Sequence, residues 1–217
     1  MNKRNFIESK NFFADPDLVR EFALNQQYRN WVWGGNGIWS GFRSPLQDES
    51  ITNELVSKLE ILNQRKIKTI QPCFHINPRV SMHGFPHTDF EAHEIDSFAG
   101  VVYLNKEFPQ ERCGTTIYED LPEHKRQCEE YILNFYDKME IVYDTTISPN
   151  NKFKHQFSKE CLNFKTYVLK TVKCVDFEYN KVLCYPGYVL HSPDFYFGDI
   201  KETSRLTIAF HGQFHAV

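Results

Sequence analysis

The 217-residue sequence lacks the features that mark several large classes of protein. No run approaches the roughly 18 apolar residues that a membrane-spanning helix needs. The opening MNKRNFIESKNFFADPD contains no apolar core of a secretory signal. Lysine and arginine are not in excess, since the formal net charge is −3, so nucleic acid is not an expected partner. We therefore expect a cytoplasmic protein with no membrane partner, and nothing in the sequence indicates its oligomeric state.

Cysteine spacing excludes the common zinc modules. Six cysteines are present, and no two of them form the C-x-x-C pair of a zinc ribbon or a redox motif. In a reducing compartment such residues remain free thiols and behave as small apolar side chains. We expect this state for Cys73, Cys113, Cys128, Cys161, Cys174 and Cys184.

Aromatic residues are abundant, and they favour a β-rich fold. They make up 15% of the chain, with 19 Phe and 11 Tyr, and flat side chains suit the pleated surface of a sheet. No repeat or low-complexity linker divides the chain, so we predict one domain over 1–217. Its parts are an N-terminal helical region at about 1–66 and a β core at about 67–217 that carries a helical insertion at about 122–141.

Local patterns place the elements within this outline. Helices are predicted within 11–29, where Asp15 precedes Pro16, and within 48–63, where apolar residues recur at helical spacing. The segment 30–46, rich in Trp and Gly, is interpreted as a structured loop. Strands are predicted at 68–82, 98–105, 114–119, 163–174, 181–193 and 205–214.

The stretch FPHTDF at 85–90 carries the first chemical signal. Residues i and i+2 of a strand face the same side, so His87 and Asp89 can aim an imidazole and a carboxylate at one point. His191 follows the predicted strand in CYPGYVLHSP and is the best third candidate. Two histidines and one carboxylate form the facial triad of non-haem iron, which leaves coordination positions open. We predict these three residues as the metal ligands and the catalytic centre.

A cation on the last strand extends this hypothesis. Three open positions suit a bidentate 2-oxo acid and dioxygen, and 2-oxoglutarate then needs a partner for its far carboxylate. Arg205 can supply a guanidinium fork for that group. Thr207 lies on the same strand face, and Tyr103 offers a phenol, so both are weaker candidates for the same ligand.

In this order the motifs resemble the iron(II)- and 2-oxoglutarate-dependent oxygenases, in particular the branch similar to prolyl 4-hydroxylases. The likeness spans nearly the whole chain and includes the N-terminal helix segment NFFADPDLVREFAL. The matching motifs are His-Thr-Asp at 87–89, Tyr-Leu-Asn at 103–105, Cys-Gly-Thr-Thr at 113–116, Tyr-Pro-Gly at 185–187 with His191, and Arg205. Two positions depart from the pattern: Cys113 stands where the family often has Gly, and Arg205 where prolyl hydroxylases usually have Lys.

This resemblance implies a mainly β fold with flanking helices, a double-stranded β-helix (jelly roll, cupin-like) with Fe(II) at its mouth. It also implies a hydroxylase that converts 2-oxoglutarate and O2 to succinate and carbon dioxide while oxidising a peptide side chain or a small metabolite. Two alternatives remain open: a cupin-like protein that binds metal or a small acid without turnover, and a zinc hydrolase with the same three ligands.

Other polar and aromatic residues receive weaker interpretations. His83 and His93 flank the motif and are expected at the surface or behind the ligands, and His75, His124 and His155 are expected to be solvated. Arg43 either meets an acidic substrate or forms a structural salt bridge. Packing is the preferred role of Trp31, Trp33 and Trp39, with a substrate groove as the alternative.

Overall fold

A computed structural model describes residues 6–33, 37–79, 84–109, 112–119, 121, 123–124, 126–128, 130 and 161–216, without the side chains of 30–40. The helices are α1 (Pro16–Leu24) and α2 (Glu49–Asn63). The strands are β1 (Ile7–Ser9), β2 (Arg29–Trp33), β3 (Gly37–Pro45), β4 (Ile67–Asn77), β5 (Ser97–Tyr103), β6 (Thr115–Tyr118), β7 (Thr171–Val175), β8 (Val182–Pro186), β9 (His191–Pro193) and β10 (Arg205–Phe214).

Both helices begin at a capping aspartate, and the sequence predicted the first of these caps, Asp15. The Asp15 side chain accepts a hydrogen bond from the Leu18 backbone at 3.0 Å, and Pro16 occupies the first turn of α1. Asp48 does the same for α2, with the Ile51 backbone as donor at 2.9 Å. Caps of this kind satisfy backbone N–H groups that have no partner within the helix.

Most of the strands form one large antiparallel sheet. Its strand order is β1-β8-β5-β10-β4-β3-β2, and the long strand β10 pairs with both β4 and β5 along its length. A second, three-stranded sheet has the order β7-β6-β9. Non-consecutive strands are neighbours in both sheets, as in a double-stranded β-helix.

The two faces of the large sheet have different chemistry. Alternate residues of β10, Leu206, Ile208 and Phe210, join the main hydrophobic core with the buried faces of α1 and α2. The intervening residues, beginning with Arg205 and Thr207, point to the opposite face. That inner face meets the small sheet, where Ile117 of β6 packs with apolar residues of β5 and β8. The helices therefore cover the outside of the large sheet and leave its inner wall to the site.

Several predictions from sequence are wrong in detail. Segment 30–46 is a hairpin of β2 and β3 rather than a loop, although 34–36 lie outside the described residues. A strand was predicted at 163–174, but residues 161–167 are helical and β7 begins only at Thr171. The division at 66/67 does not separate helices from sheet, because β1, β2 and β3 join the large sheet.

Within the helical insertion predicted at 122–141, the described residues at 123–130 are helical, and the remainder lies outside the described part.

The free thiols expected from the sequence are confirmed. None of the six cysteines belongs to a disulfide; Cys174 is exposed, Cys73 is intermediate and the other four are buried. Across the described residues, no helix combines the length and the apolar character needed to cross a bilayer.

Candidate metal centre and its inner wall

Two histidines and one aspartate meet at the edge of the small sheet. His87 and His191 form an isolated antiparallel bridge, with reciprocal backbone hydrogen bonds of 2.9 and 3.0 Å. Their rings lie 4.5 Å apart between centroids. One ligand atom from each of His87, Asp89 and His191 falls within 4.8 Å of the other two. The backbone bridge thus brings together side chains that are far apart in sequence.

Hydrogen bonds orient both imidazoles in the same way. The Nδ1 atom of His87 lies 2.7 Å from the carbonyl oxygen of Phe85, and that of His191 lies 3.0 Å from the carbonyl oxygen of Val189. A carbonyl can only accept, so each Nδ1 carries the proton and each Nε2 keeps its lone pair. The two Nε2 atoms face Asp89, at 3.9 Å for His87 and 3.5 Å for His191. This donor set fits a divalent transition metal.

The geometry around Asp89 differs from the regular strand expected from the H-x-D spacing. His87 is a single bridge residue and Asp89 lies in a bend. The Asp89 and Phe90 backbone N–H groups donate to the carbonyl oxygen of Gly187 at 3.0 and 3.1 Å. The Pro-Gly turn that precedes His191 therefore holds the loop that carries His87 and Asp89. A Cβ on Gly187 would lie 2.4 Å from the Phe90 ring, so this approach requires glycine.

Electrostatics keep the first histidine neutral. Burial lowers the pKa of His87 to about 4, and the neighbouring His191 acts in the same direction. A neutral imidazole has the lone pair that metal coordination needs. The Tyr185 ring lies 4.6 Å from the His191 ring and is 3% exposed, so it limits the movement of that ligand.

Arg205 lies on the inner wall and is 2% exposed. Its Nε donates to the carbonyl oxygen of Cys113 at 3.2 Å, and its Nη2 donates to that of Gly114 at 3.3 Å. Its guanidinium carbon also lies 5.7 Å from the Tyr103 ring centroid. No described carboxylate lies within ion-pair distance of it. Backbone carbonyls and aromatic faces thus hold a buried cation whose charge no described acidic side chain neutralises.

The two weaker candidates flank this cation on the same wall. Thr207 is opposite Tyr103 in the pairing of β10 with β5, and both side chains are fully buried. Tyr103 already donates its hydroxyl to the Thr115 Oγ1 at 2.9 Å, and burial raises its pKa. The Thr207 Oγ1 has no hydrogen-bond partner among the residues that the structure describes. Of the two, Thr207 is the group that still offers a hydrogen bond to a ligand.

Two of the remaining histidines are buried, although the sequence predicted that they are solvated. His93 is exposed as expected, whereas His75 and His124 are buried, contrary to prediction. Arg43 is opposite His75, which is in turn opposite Thr207, so it belongs to the same inner wall. Other residues named from the sequence fall outside the described part: His83, His155 and the side chains of Trp31, Trp33 and Trp39.

Sequence reasoning missed three contributors to the site. Asn77 is opposite Arg205 at the end of β4, yet an isolated asparagine carries no motif. Tyr185 and Gly187 precede the distal ligand, and their contacts with His191 and with the Asp89 loop depend on tertiary structure. The Tyr-Pro-Gly motif signalled the turn but not its hydrogen bonds to the first ligands.

Comparisons with known proteins place the fold. No protein-family model and no curated protein matches the sequence. Among solved structures, a Pseudomonas putida prolyl-4-hydroxylase is 10% identical with a TM-score of 0.52, over 99% of this chain and 95% of that one. A Trichoplax adhaerens prolyl hydroxylase, in complex with a hypoxia inducible factor peptide fragment, is 12% identical with a TM-score of 0.54, over 98% and 84%.

A third similar structure is HygX from Streptomyces hygroscopicus with nickel, 2-oxoglutarate and hygromycin B bound. It is 10% identical with a TM-score of 0.58, over 97% of this chain and 83% of that one. At such identities the likeness concerns the fold. The chain is a mainly β protein with the jelly-roll fold that these 2-oxoglutarate oxygenases share.

Proposed function

We propose that the protein is an Fe(II)- and 2-oxoglutarate-dependent dioxygenase that hydroxylates a peptide side chain or a small metabolite, with release of succinate and carbon dioxide. His87, Asp89 and His191 are the proposed iron ligands and catalytic centre. Arg205 is the proposed anchor for the far carboxylate of 2-oxoglutarate, with Thr207 and Tyr103 beside it. When bound, the iron supplies the redox chemistry that couples loss of carbon dioxide to oxidation of the substrate.

The observation that carries this proposal is Arg205, a buried cation on the face of the large sheet that meets the small sheet, where the triad lies, and without a described carboxylate partner. Burying a charge without a counter-charge is costly, and a bound carboxylate would compensate that cost. Neither a zinc hydrolase nor a bare metal-binding cupin needs a cation there. A dicarboxylate cosubstrate accounts for both the triad and Arg205.

Arg205 still has donors for an anion. A guanidinium has five N–H groups, and those that donate to Cys113 and Gly114 leave the Nη1 group and one Nη2 proton. Both carbonyls hold the fork in place, which lowers the entropy lost when a carboxylate binds. The Thr207 hydroxyl adds a donor two residues along the same strand.

The chain's own residues also prepare the metal end of the pocket. The carbonyls of Phe85 and Val189 fix the imidazole tautomers, and the Gly187 carbonyl fixes the Asp89 loop. Such supports hold metal ligands in a productive orientation before binding. Tyr185 and the apolar residues of the two sheets exclude water from one side of His191.

The similar structures give a range of substrates for the proposal. One is bound to a peptide fragment and another to hygromycin B, so the fold accommodates both a peptide and a small molecule. We keep both classes for this protein. Within the prolyl 4-hydroxylase-like branch, peptidyl proline is one candidate among them.

A two-step assay tests the proposal. Fe(II) and 2-oxoglutarate are added to the protein without oxygen, and a visible charge-transfer band is sought. Air is then admitted and succinate is measured. We expect the band, and succinate above the rate without enzyme.

Variants make the result specific. Asp89→Ala should abolish both the band and iron-dependent succinate, whereas His93→Ala, an exposed residue near the motif, should keep both. A band without succinate under any substrate mixture would support a binding protein instead. Absence of both band and metal binding in the wild type would refute the proposal.

A further inference from the structure

Asn77 is a fully buried polar residue whose side chain has no hydrogen-bond partner among the described residues. It ends β4 with 0% exposure, and neither its side-chain oxygen nor its nitrogen makes a hydrogen bond to any described residue. Most buried polar atoms in proteins are paired, because an unpaired donor or acceptor has lost its water without compensation. An amide with both ends unpaired therefore calls for a ligand.

The strand register places this amide beside the cation. Asn77 is directly opposite Arg205 in the antiparallel pairing of β4 with β10. Residues opposite each other in such a pair share a face, with Cβ atoms about 4.5–5.5 Å apart. The neighbouring β4 residue, Ile76, belongs to the helix-covered core, which confirms that Asn77 points to the inner wall. Thr207 lies two residues further along the same wall.

The Asn77 side chain packs directly against Gly41, where the absence of a Cβ atom leaves room for it. A Cβ at Gly41 would lie 2.3 Å from the Asn77 Oδ1 and 2.5 Å from the backbone oxygen of Ile76. Its φ of +79° is also a conformation that favours glycine. The β3 backbone thus closes this end of the wall directly against the amide.

We propose that Asn77 is a specificity-determining residue that donates from its amide to the far carboxylate of the 2-oxo acid. The inference rests on the proposed function and adds a third donor to Arg205 and Thr207. A carboxylate accepts at both oxygens and has about four lone-pair sites, so it can use all three donors. The Asn77 Oδ1 then accepts an N–H that Arg205 leaves unused.

A neutral amide suits this position better than a charged group would. A second cation would repel Arg205 in a buried space, and an acid would neutralise it and displace the ligand. The amide adds hydrogen bonds without adding charge. It therefore favours a 2-oxo acid that carries a second carboxylate over one that ends in a methyl group.

A pair of ligands tests the proposal. The protein is loaded with nickel, which binds without turnover, and titrated calorimetrically with 2-oxoglutarate and with 2-oxopentanoate, which has the same carbon chain but no far carboxylate. In Asn77→Leu we expect 2-oxoglutarate to bind about tenfold more weakly or worse, since a hydrogen bond to a charged group is lost. Binding of 2-oxopentanoate should not change.

Two further variants separate recognition from folding. Asn77→Asp has nearly the same shape and should lose 2-oxoglutarate while keeping 2-oxopentanoate. Gln71→Leu, near the opposite end of the same strand face, should leave both affinities at the wild-type value. Thermal melting shows whether each variant is folded, and Asn77→Ser replaces Asn77→Leu if the latter is not.

The outcomes are distinct. Equal weakening of both ligands in Asn77→Leu, or no weakening of 2-oxoglutarate, would overturn the role of Asn77. If the wild type binds no 2-oxoglutarate, the proposed function itself fails. If the wild type prefers 2-oxoglutarate to 2-oxopentanoate and the Asn77 variants keep that preference, only this inference fails.

Discussion

At the scale of single residues, the inner wall holds polar groups that a purely structural sheet would not retain. Arg205 and Thr207 are both at most 2% exposed, and within the described part of the chain neither has a full set of hydrogen-bond partners. Replacing a buried ion by an apolar residue often leaves a protein equally or more stable. The polarity of this wall is therefore better explained by ligand binding than by stability.

Replacement of Arg205 by alanine should mainly raise the concentration of 2-oxoglutarate required. Hydrogen bonds to charged groups are each worth about 1.5–3 kcal/mol, so we expect affinity to fall by roughly tenfold to a hundredfold. Calorimetric titration of the metal-loaded protein measures this. Arg79→Ala is the control, because Arg79 is exposed and lies 3.9 Å from Asp199 at the surface. Wild-type affinity in Arg205→Ala would show that the anchor is misassigned.

At the scale of elements, the centre depends on two turns that lie against each other. The His87–Asp89 turn is bridged to His191 on one side and held by Gly187 on the other. Since His191 opens β9 and Gly187 follows β8, the same connection positions all three candidate ligands. Changes in this connection should act on metal affinity more than on global stability.

Gly187→Ala should weaken metal binding, because the new Cβ would lie 2.4 Å from the Phe90 ring and displace the Asp89 loop. Overpacking of this kind costs about 1–3 kcal/mol. Gly212→Ala is a matched control, since its Cβ would lie 2.0 Å from the Thr69 carbonyl oxygen, at the other end of β10. Metal titration and thermal melting are compared. The idea is wrong if both variants lose metal affinity in proportion to their loss of stability.

The cap of α2 gives a prediction about stability alone. Asp48→Ala removes the acceptor for the Ile51 backbone and should lower the free energy of unfolding by about 0.5–2 kcal/mol. Asp48→Asn should retain most of the wild-type free energy of unfolding, because asparagine also caps helices well. Denaturant unfolding monitors both variants. A loss of metal affinity in folded Asp48→Ala would contradict the separation of this helix end from the site.

At the scale of the whole molecule, the helices, the large sheet and the small sheet form three layers, and the main apolar core lies apart from the candidate site. The helices and the outer face of the large sheet form the main apolar core. The inner face and the small sheet form separate, smaller clusters beside the polar residues of the inner wall. Because the candidate ligands lie on the inner side, the main core can stabilise the sheet without contacting them.

Leu55→Ala tests this division. Leu55 is fully buried on α2 in the main core, and removal of such a side chain typically costs 2–5 kcal/mol, so a loss of about that size is expected. Ile61 lies on the same helix at 74% exposure, and Ile61→Ala should change stability little. Denaturant unfolding measures both, and metal affinity is measured where the protein is folded. Normal stability in Leu55→Ala would mean that α2 does not support the sheet.

Local order in the sequence was sufficient for much of this architecture. The capped helices, the strands β4, β5, β6, β8 and β10, and the candidate residues His87, Asp89, His191 and Arg205 follow from periodicity, capping and motif order. These signals extend over only a few residues, so they can be recognised in the sequence before the fold is known. They failed where context overrides local preference, as in the β2–β3 hairpin and the helical turn at 161–167.

The tertiary structure decided which of the polar residues share the pocket. The triad converges through a backbone bridge and a Gly187 contact instead of a regular strand. Asn77 and His75 join the inner wall because strand pairing sets their register opposite β10, although neither has a motif of its own. A register shift of one residue would turn both away from the pocket. Such long-range pairing is a property of the assembled sheet and cannot be predicted from any short segment of the chain.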